Sequence, residues 1–261
     1  MDRPRIAIPE PHSAKPDYNQ RVLPQYEQAV REAGGEPVIV PLDAAPEEVA
    51  RLLTHCDAVL LPGSSADVDP QKYDATRDPR TKPADPLRDM VDELLLQDAY
   101  NMRKPVFGIC YGLQSLNVWR TGTLVQHLTS GVNHEAGRQV AKAHAVRVDP
   151  VSKLAAILGA TGEPVLRVRD SQPLTLDVNS SHHQAAATVG DGLRVVARCP
   201  EDQTIEAVEG AEPGHFVLAV QWHPERTTED DAASRALFRA LVEAARQWKG
   251  TAVADFEHQH D

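Results

Sequence analysis

The feature that most constrains the fold is a nine-residue stretch at residues 106–114, with the sequence VFGICYGLQ. Apolar residues and a glycine lead into Cys110, and a second glycine follows two residues later. The pattern is typical of a buried strand that turns sharply into a helix, because glycines on both sides remove side chains that would obstruct the turn. We predict that the turn lifts Cys110 out of the sheet to a helix N-terminus, where the helix dipole favours a thiolate.

A second stretch near the other end of the chain supplies partners for such a nucleophile. Residues 218–225 read LAVQWHPE, which is typical of a buried strand that ends in polar residues. The imidazole of His223 can take the proton of Cys110, and Glu225 can accept from the other ring nitrogen and fix the tautomer. A cysteine at a strand-to-helix turn combined with Trp-His-Pro-Glu at a second strand end predicts acyl transfer.

Composition excludes several other classes of protein. The chain has 261 residues, of which 41% are hydrophobic and 25% charged, and this suits one large α/β domain with a packed core. Its net charge of -11 argues against binding to nucleic acid or to an anionic membrane. No apolar run approaches the roughly 20 residues of a membrane span, and we expect no signal peptide. With only three cysteines, we expect no disulfide framework and a cytoplasmic location.

The order of elements predicts the fold class. In the first half of the chain, strands alternate with helices, which indicates a mostly parallel, helix-flanked open sheet of the flavodoxin-like α/β kind. The predicted strands are 5–8, 37–40, 58–61 and 106–109, and the predicted helices are 18–33, 47–53, 85–102 and 112–119. Ligands of such sheets sit at the carboxyl ends of the strands, where Cys110 and His223 both fall.

The second half of the chain is less regular. Strands are predicted at 144–148, 165–168, 193–197 and 216–220, either as a second sheet or as an antiparallel extension, before a final amphipathic helix at 230–248. We see no repeat and no linker that would divide the chain. We therefore expect a single domain over residues 1–250 and a polar, frayed C-terminal tail over residues 251–261.

Four stretches together resemble a known family. Residues 108–114 and 221–225 resemble the class I glutamine amidotransferase superfamily. Residues 61–73, LPGSSADVDPQKY, and residues 178–184, VNSSHHQ, are similar to motifs of its gamma-glutamyl-gamma-aminobutyrate hydrolase branch. Residues 123–126 show a weaker similarity to the same family. The resemblance extends from about Ile6 to Glu225.

The resemblance implies a fold, an activity and a set of site residues. Its members hydrolyse gamma-glutamyl amide bonds of small amines through a cysteine thioester, releasing glutamate, and this branch acts in polyamine catabolism. No metal or organic cofactor is implied, and the partner is a small-molecule substrate. The residues that carry over are the triad Cys110, His223 and Glu225, the oxyanion-hole positions Tyr111, Gly63 and Ser64, and the substrate contacts Gln114, Ser181 and His182.

Three positions depart from the branch. Tyr111 stands where the branch usually has arginine, Ser64 stands where a second glycine is usual, and residues 120–122 replace a glycine pair. These departures concern the leaving amine more than the triad. Two alternatives therefore stay open: a glutaminase subunit that supplies ammonia to a separate synthase partner, and a non-enzymatic binding protein on the same fold. The sequence leaves a homo-oligomer open as well.

The histidines outside the triad are not expected to bind a metal ion. His182 and His183 are adjacent and suggest a metal pair, but no third ligand has suitable spacing, so we expect no metal site. We expect His127, His134 and His144 to be structural or exposed.

Overall fold

The structure is a computed structural model that describes residues 3–161 and 174–258, with side chains described as far as residue 248. Within these residues there are eleven strands, namely β1 (Arg5–Pro9), β2 (Glu36–Val40), β3 (Ala58–Leu61), β4 (Val106–Ile109), β5 (Leu124–Val125), β6 (His144–Val148), β7 (Leu174–Val178), β8 (Ala185–Ala186), β9 (Leu193–Arg198), β10 (Ile205–Gly210) and β11 (Val217–Val220). The α-helices of the same residues are α1 (Pro16–Glu32), α2 (Pro46–Leu53), α3 (Pro86–Met102), α4 (Tyr111–Trp119), α5 (Lys153–Gly159) and α6 (Ala232–His258). Short 3-10 helices form at Pro70–Tyr73 and Pro224–Arg226.

Nine of the strands form one sheet in the order β2-β1-β3-β4-β11-β10-β9-β6-β7. The first five strands of this order are parallel to one another, and the last four continue the sheet in antiparallel pairs. β5 and β8 form a separate two-stranded pair. The predicted fold class is confirmed, and the antiparallel strands extend the main sheet instead of forming a second large one.

The central parallel strands are apolar throughout because helices cover both faces of the sheet. Every residue of β3, β4 and β11 is buried. On one face, Tyr26 of α1 and Phe238 of α6 join the core, and Phe238 meets Phe107 edge-to-face with 5.7 Å between ring centroids. On the other face, α2, α3 and α4 pack against the sheet through residues such as Leu53, Leu95 and Leu113.

The pairing of β4 with β11 positions the site. The two strands are parallel neighbours, with Ile109 opposite Val220, and the Cys110 N–H donates to the Val220 carbonyl at 2.8 Å. Cys110 therefore follows the end of β4 directly beside the segment that leads from β11 to His223.

The structure differs from the predicted elements mainly in the second half. β5, β7, β8, β10 and α5 are additional elements. β10 escapes prediction because Glu206 and Glu209 interrupt its apolar pattern, although both are buried. The predicted end of the last helix at Trp248 is wrong, since α6 continues to His258, through residues with no proline to stop it. The predicted strand at 165–168 lies outside the described residues. Across the described ranges, no helix combines the length and apolar character that crossing a membrane requires.

Candidate active site

The turn at Cys110 has the sharp geometry that its glycines predict. Cys110 adopts φ 54° and ψ -103°, a left-handed φ that is unusual for a side-chain-bearing residue, and it caps α4. A Cβ at Gly112 would lie 2.2 Å from the Leu61 carbonyl oxygen, and one at Gly108 would lie 2.9 Å from the Gly112 carbonyl. The helix can therefore start against β3 only because both positions are glycine.

The Cys110 thiol is largely withdrawn from solvent, with 6% of the residue exposed. Burial raises the pKa of Cys110 to about 12, the positive charge of Arg226 opposes this, and the carboxylate of Glu225 adds to it. Burial thus opposes the effect that we predict for the helix N-terminus, which favours the thiolate. The resting group is a thiol, and attack requires a base.

His223 and Glu225 form a buried pair. The His223 Nδ1 lies 2.8 Å from Glu225 Oε1. Burial lowers the pKa of His223, while Glu225 opposes the shift, so the ring is neutral at pH 7. The pKa of Glu225 is also lowered, since the attraction of His223 and Arg226 outweighs burial. A neutral ring that donates from Nδ1 to Glu225 has its lone pair on Nε2, the form a general base needs.

The backbone of His223 is held by a neighbouring side chain. The Asn179 amide group accepts from the His223 N–H at 2.9 Å and donates to the His223 carbonyl at 2.8 Å. The ring itself rests against the turn after β3, where a Cβ on Gly63 would be 2.9 Å from His223 Cε1. The imidazole thus has a fixed position, and sequence reasoning did not assign this part to Asn179.

The predicted oxyanion turn is present but its donors are not equivalent. The Gly63 N–H donates to the buried Tyr26 hydroxyl at 3.0 Å, so this group is already committed. Ser64 turns its hydroxyl to accept from the Ala66 N–H at 3.1 Å. Tyr111 follows Cys110 as the first residue of α4. The Gly63 N–H is engaged by Tyr26, and its role as an oxyanion donor stays a prediction.

Arg88 lies beneath this turn, fully buried, and the sequence did not single it out. Its guanidinium donates to the Pro62 carbonyl at 2.7 Å and pairs with Asp92 at 2.7 Å. It also stacks 4.9 Å from the centroid of the Tyr111 ring, whose hydroxyl donates to Asp89 at 2.5 Å. Arg88 therefore holds the oxyanion turn and the residue after the nucleophile in one network, and Tyr111 points its side chain into that network.

The three predicted substrate contacts are already hydrogen-bonded within the protein. Gln114 donates to the Gln184 carbonyl at 3.0 Å and to the Gln221 side chain at 3.3 Å. Ser181 accepts from Arg226 at 2.8 Å. The His182 ring is buried, with Nδ1 3.0 Å from the Gln184 carbonyl oxygen. All three lie near the triad in the fold, and their contact with substrate stays a prediction.

Two arginines bring positive charge to the triad. Arg226 Nε lies 3.4 Å from Glu225 Oε1. Arg138 donates to the Gln25 side chain at 2.8 Å, and its pKa is lowered by burial and by the charge of Arg226. Sequence reasoning missed both residues, although Arg226 follows Glu225 directly. Both arginines place positive charge near His223, in a chain whose net charge is -11.

His183, the residue after His182, contacts a different set of side chains. His183 Nε2 lies 3.0 Å from Asp67 Oδ2, and His183 Nδ1 lies 3.2 Å from His127 Nδ1. Asp67 also accepts from the Lys82 N–H at 2.7 Å. His183 therefore connects the 178–184 segment to the loop after β3, whereas the His182 ring contacts the Gln184 carbonyl.

Fold and geometry together define the class: a flavodoxin-like α/β protein with a cysteine at a strand-to-helix turn and a His–Glu pair after the neighbouring strand. Comparison with known proteins agrees. The family model described as Peptidase C26 matches residues 6–225. The chain belongs to the peptidase C26 family, within the class I glutamine amidotransferase-like superfamily, and it is a hydrolase of C–N amide bonds.

Individual relatives span most of the chain. The Mycobacterium tuberculosis protein Rv2859c is 37% identical over 230 residues, which cover 86% of this chain and 68% of that protein. Gamma-glutamyl-gamma-aminobutyrate hydrolase PuuD of Escherichia coli K12 is 34% identical over 237 residues, covering 87% of both chains. Among solved structures, the glutaminase domain of Trypanosoma brucei CTPS superposes with a TM-score of 0.56 at 19% identity, covering 94% of each chain, which supports the fold.

Proposed function

We propose that the chain is a cysteine hydrolase that cleaves the gamma-glutamyl amide bond of a small gamma-glutamyl amine and releases glutamate. The observation that carries this proposal is the placement of Cys110 after β4 and of the hydrogen-bonded His223–Glu225 pair after the adjacent, parallel β11. The relatives named gamma-glutamyl-gamma-aminobutyrate hydrolase support this choice of substrate class.

The first half of the reaction begins from a neutral thiol and a neutral imidazole. His223 Nε2 takes the proton of Cys110 as the sulfur attacks the gamma-carbonyl, and Glu225 stabilises the imidazolium that forms. The N–H groups of Tyr111 and Ser64 stabilise the oxyanion, each contributing about 3 kcal/mol. The imidazolium then protonates the departing amine, which leaves a glutamyl thioester on Cys110.

The second half hydrolyses the thioester. Neutral His223 takes a proton from water as the water attacks the acyl carbon, and it returns that proton to the sulfur as glutamate leaves. The high pKa of Cys110 suits this cycle, because the free enzyme regenerates the thiol after each turnover. His223 and Glu225 are buried, which limits their contact with bulk water.

Arg226 and Arg138 give the site a preference for an anionic amino-acid end. We assign them to the alpha-carboxylate of the glutamyl group, since guanidinium groups pair well with carboxylates. Arg226 contacts both Glu225 and Ser181, so it links the triad to the predicted substrate segment.

The deciding experiment incubates the purified chain alone with gamma-glutamyl-gamma-aminobutyrate and, separately, with glutamine, and follows glutamate release. We expect release from the first substrate, and a loss of about 10³-fold or more in Cys110→Ala, because removing one triad member disables the unit. Cys56→Ala is the matched control, as Cys56 is a buried thiol at the far end of α2.

Three outcomes separate the candidate functions. Near-normal turnover in Cys110→Ala refutes the catalytic assignment. Release from glutamine, with the first substrate left intact, favours the glutaminase subunit that serves a synthase partner. No release from either substrate, with Cys110 no more reactive than Cys56 toward a glutamine-like chloroketone, favours a binding protein.

A further inference from the structure

A second cluster of titratable side chains lies beside the active site and takes no part in the proposed reaction. Its members are His134, His144, His182 and Glu206, all at least nine-tenths buried. They come from four separate parts of the chain: the loop after β5, the start of β6, the segment before β8, and β10. The four ligand-type atoms lie within 4.8 Å of one another.

All three imidazoles point a nitrogen at one carboxylate oxygen. Glu206 Oε1 lies 3.5 Å from His134 Nδ1, 3.5 Å from His144 Nε2 and 3.7 Å from His182 Nε2. Around a tetrahedral zinc ion with bonds of about 2.0–2.1 Å, neighbouring ligand atoms are about 3.3 Å apart. The three distances from Glu206 are therefore close to those of a four-coordinate metal site, and the other ligand atoms lie within 4.8 Å of one another.

In each ring, the inner nitrogen faces Glu206 and the outer nitrogen faces away from it. The partner of the outer nitrogen determines whether the inner nitrogen carries a proton. His134 Nε2 lies 2.8 Å from Asp202 Oδ2, and the Nδ1 atoms of His144 and His182 lie 3.1 Å and 3.0 Å from backbone carbonyl oxygens. Carboxylates and carbonyls accept hydrogen bonds, so the outer nitrogen of each ring is the one that donates. In a ring with a single proton the inner nitrogen then offers a lone pair, and the outer contacts are those typical of metal-binding histidines.

These lone pairs face one another without protons between them. Within the part of the chain that the structure describes, the three inner nitrogens and both Glu206 oxygens have no hydrogen-bond partner. A protonated Glu206 would bring a single proton, which can satisfy only one nitrogen. Unpaired buried polar atoms are costly, so five at one point indicate a missing ligand that accepts electron pairs.

We propose that His134, His144, His182 and Glu206 bind a divalent transition-metal ion, with Zn²⁺ as the best match. Three imidazoles and one carboxylate suit zinc, and four protein ligands close its coordination shell. A closed site is structural: it joins the loop after β5 to β6, β10 and the 178–184 segment. In this site His182 is a metal ligand, and spacing along the chain does not reveal its partners because they are remote in sequence.

A second grouping shares His134 but fits less well. His134, Cys199 and Asp202 also offer ligand atoms within 4.8 Å. However, His134 Nε2 and Asp202 already pair with each other, and the Cys199 thiol lies 3.1 Å from Glu201 Oε2. These atoms have partners, whereas the inner nitrogens do not, so the ion belongs on the Glu206 side of His134.

The test uses the full chain without a metal-binding tag. It is stripped with a chelator, reloaded with Zn²⁺ or Co²⁺, passed over a desalting column and measured for metal by mass spectrometry. We expect about one ion per chain in the wild type, a tetrahedral Co²⁺ absorption spectrum, and a higher Tm when loaded. His144→Gln should bind zinc at least about tenfold more weakly.

Two control variants fix the location of the ion. Cys199→Ser should keep the metal, and so should His215→Gln, which alters a buried histidine bonded to the Lys104 carbonyl. Wild type that takes up neither ion overturns the proposal, as does equal binding by His144→Gln or loss of the metal in Cys199→Ser. If His144→Gln fails to fold, Glu206→Gln and the wild-type Co²⁺ spectrum decide the question.

Discussion

The contact between α4 and β3 makes Gly112→Ala the sharpest test of how the site is built. An alanine Cβ there would lie 2.2 Å from the Leu61 carbonyl oxygen and 2.7 Å from the Leu61 Cβ, whereas ordinary contact begins at 3.4 Å. The obstacle is strand backbone, which cannot rotate away as a long side chain can. The start of α4 must therefore move away from β3 by about 1 Å, a form of overpacking.

The movement has a cost in stability and a larger one in catalysis. Overpacking of this kind destabilises by about 1–3 kcal/mol, which for a domain of this size lowers Tm by about 2–4 °C per kcal/mol. The same shift separates Cys110 and the Tyr111 N–H from the Gly63–Ser64 turn, and a misplacement of about 1 Å can reduce turnover about 10²-fold. We expect kcat to fall far more than stability does.

The assay compares glutamate release and thermal unfolding of Gly112→Ala with those of Gly159→Ala. Gly159 ends α5, and a Cβ there would meet no atom within 4 Å. That control should keep its turnover and lose no stability, since alanine is the better helix former. Unchanged turnover in a folded Gly112→Ala would refute the argument that close packing against β3 positions the nucleophile.

Three further predictions concern the buried groups around the triad. Tyr26→Phe removes the acceptor of the oxyanion-turn N–H and should cost about 1–3 kcal/mol in urea unfolding; an unchanged midpoint would contradict this. Arg88→Met leaves the carboxylate of Asp92 unpaired and should cost about 3–5 kcal/mol, which a second change, Asp92→Leu, should largely restore. Glu225→Gln removes the charge that raises the pKa of His223, so this pKa falls further. The acid limb of the kcat/KM profile should therefore move to lower pH, and the maximal kcat/KM should fall. An acid limb that moves to higher pH would refute the prediction for Glu225→Gln.

The parallel half of the fold could be predicted because its signals are local. β3 and β4 are short, wholly apolar runs bounded by turn residues, and the structure buries every residue in them. The prolines at the starts of α1, α2 and α3 coincide with the observed first turns. Where a strand is covered on both faces, sequence pattern and burial carry the same information.

β10 shows why the antiparallel half of the sheet was harder to predict from the sequence. Its Glu206 is buried against three histidines, and its Glu209 is buried against Arg194 and the start of α5, where it accepts from the Lys153 N–H at 2.9 Å. An acidic residue in a strand is normally taken as exposed. Its partners lie in other elements, so no local pattern reveals that it is buried.

Some residues of the candidate site could be predicted from the sequence, and others could not. Cys110, His223 and Glu225 stand beside residues that mark a turn or a strand end, so spacing was enough to suggest them. Tyr26 and Arg88 support the turn after β3 from other elements, Tyr26 through the Gly63 N–H and Arg88 through the Pro62 carbonyl. Such contacts depend on packing between elements distant in sequence, and only the fold reveals them.

The segment at residues 178–184 connects the two proposed sites, yet they can be tested separately. Asn179 holds the backbone of His223, while His182 points its ring away, toward Glu206. Cys110→Ala changes no atom of the histidine cluster, so that variant should bind zinc as the wild type does while losing turnover. Conversely, a wild type that hydrolyses its substrate but binds no metal would overturn the metal site alone. Because each proposal rests on different atoms of one segment, failure of either leaves the other standing.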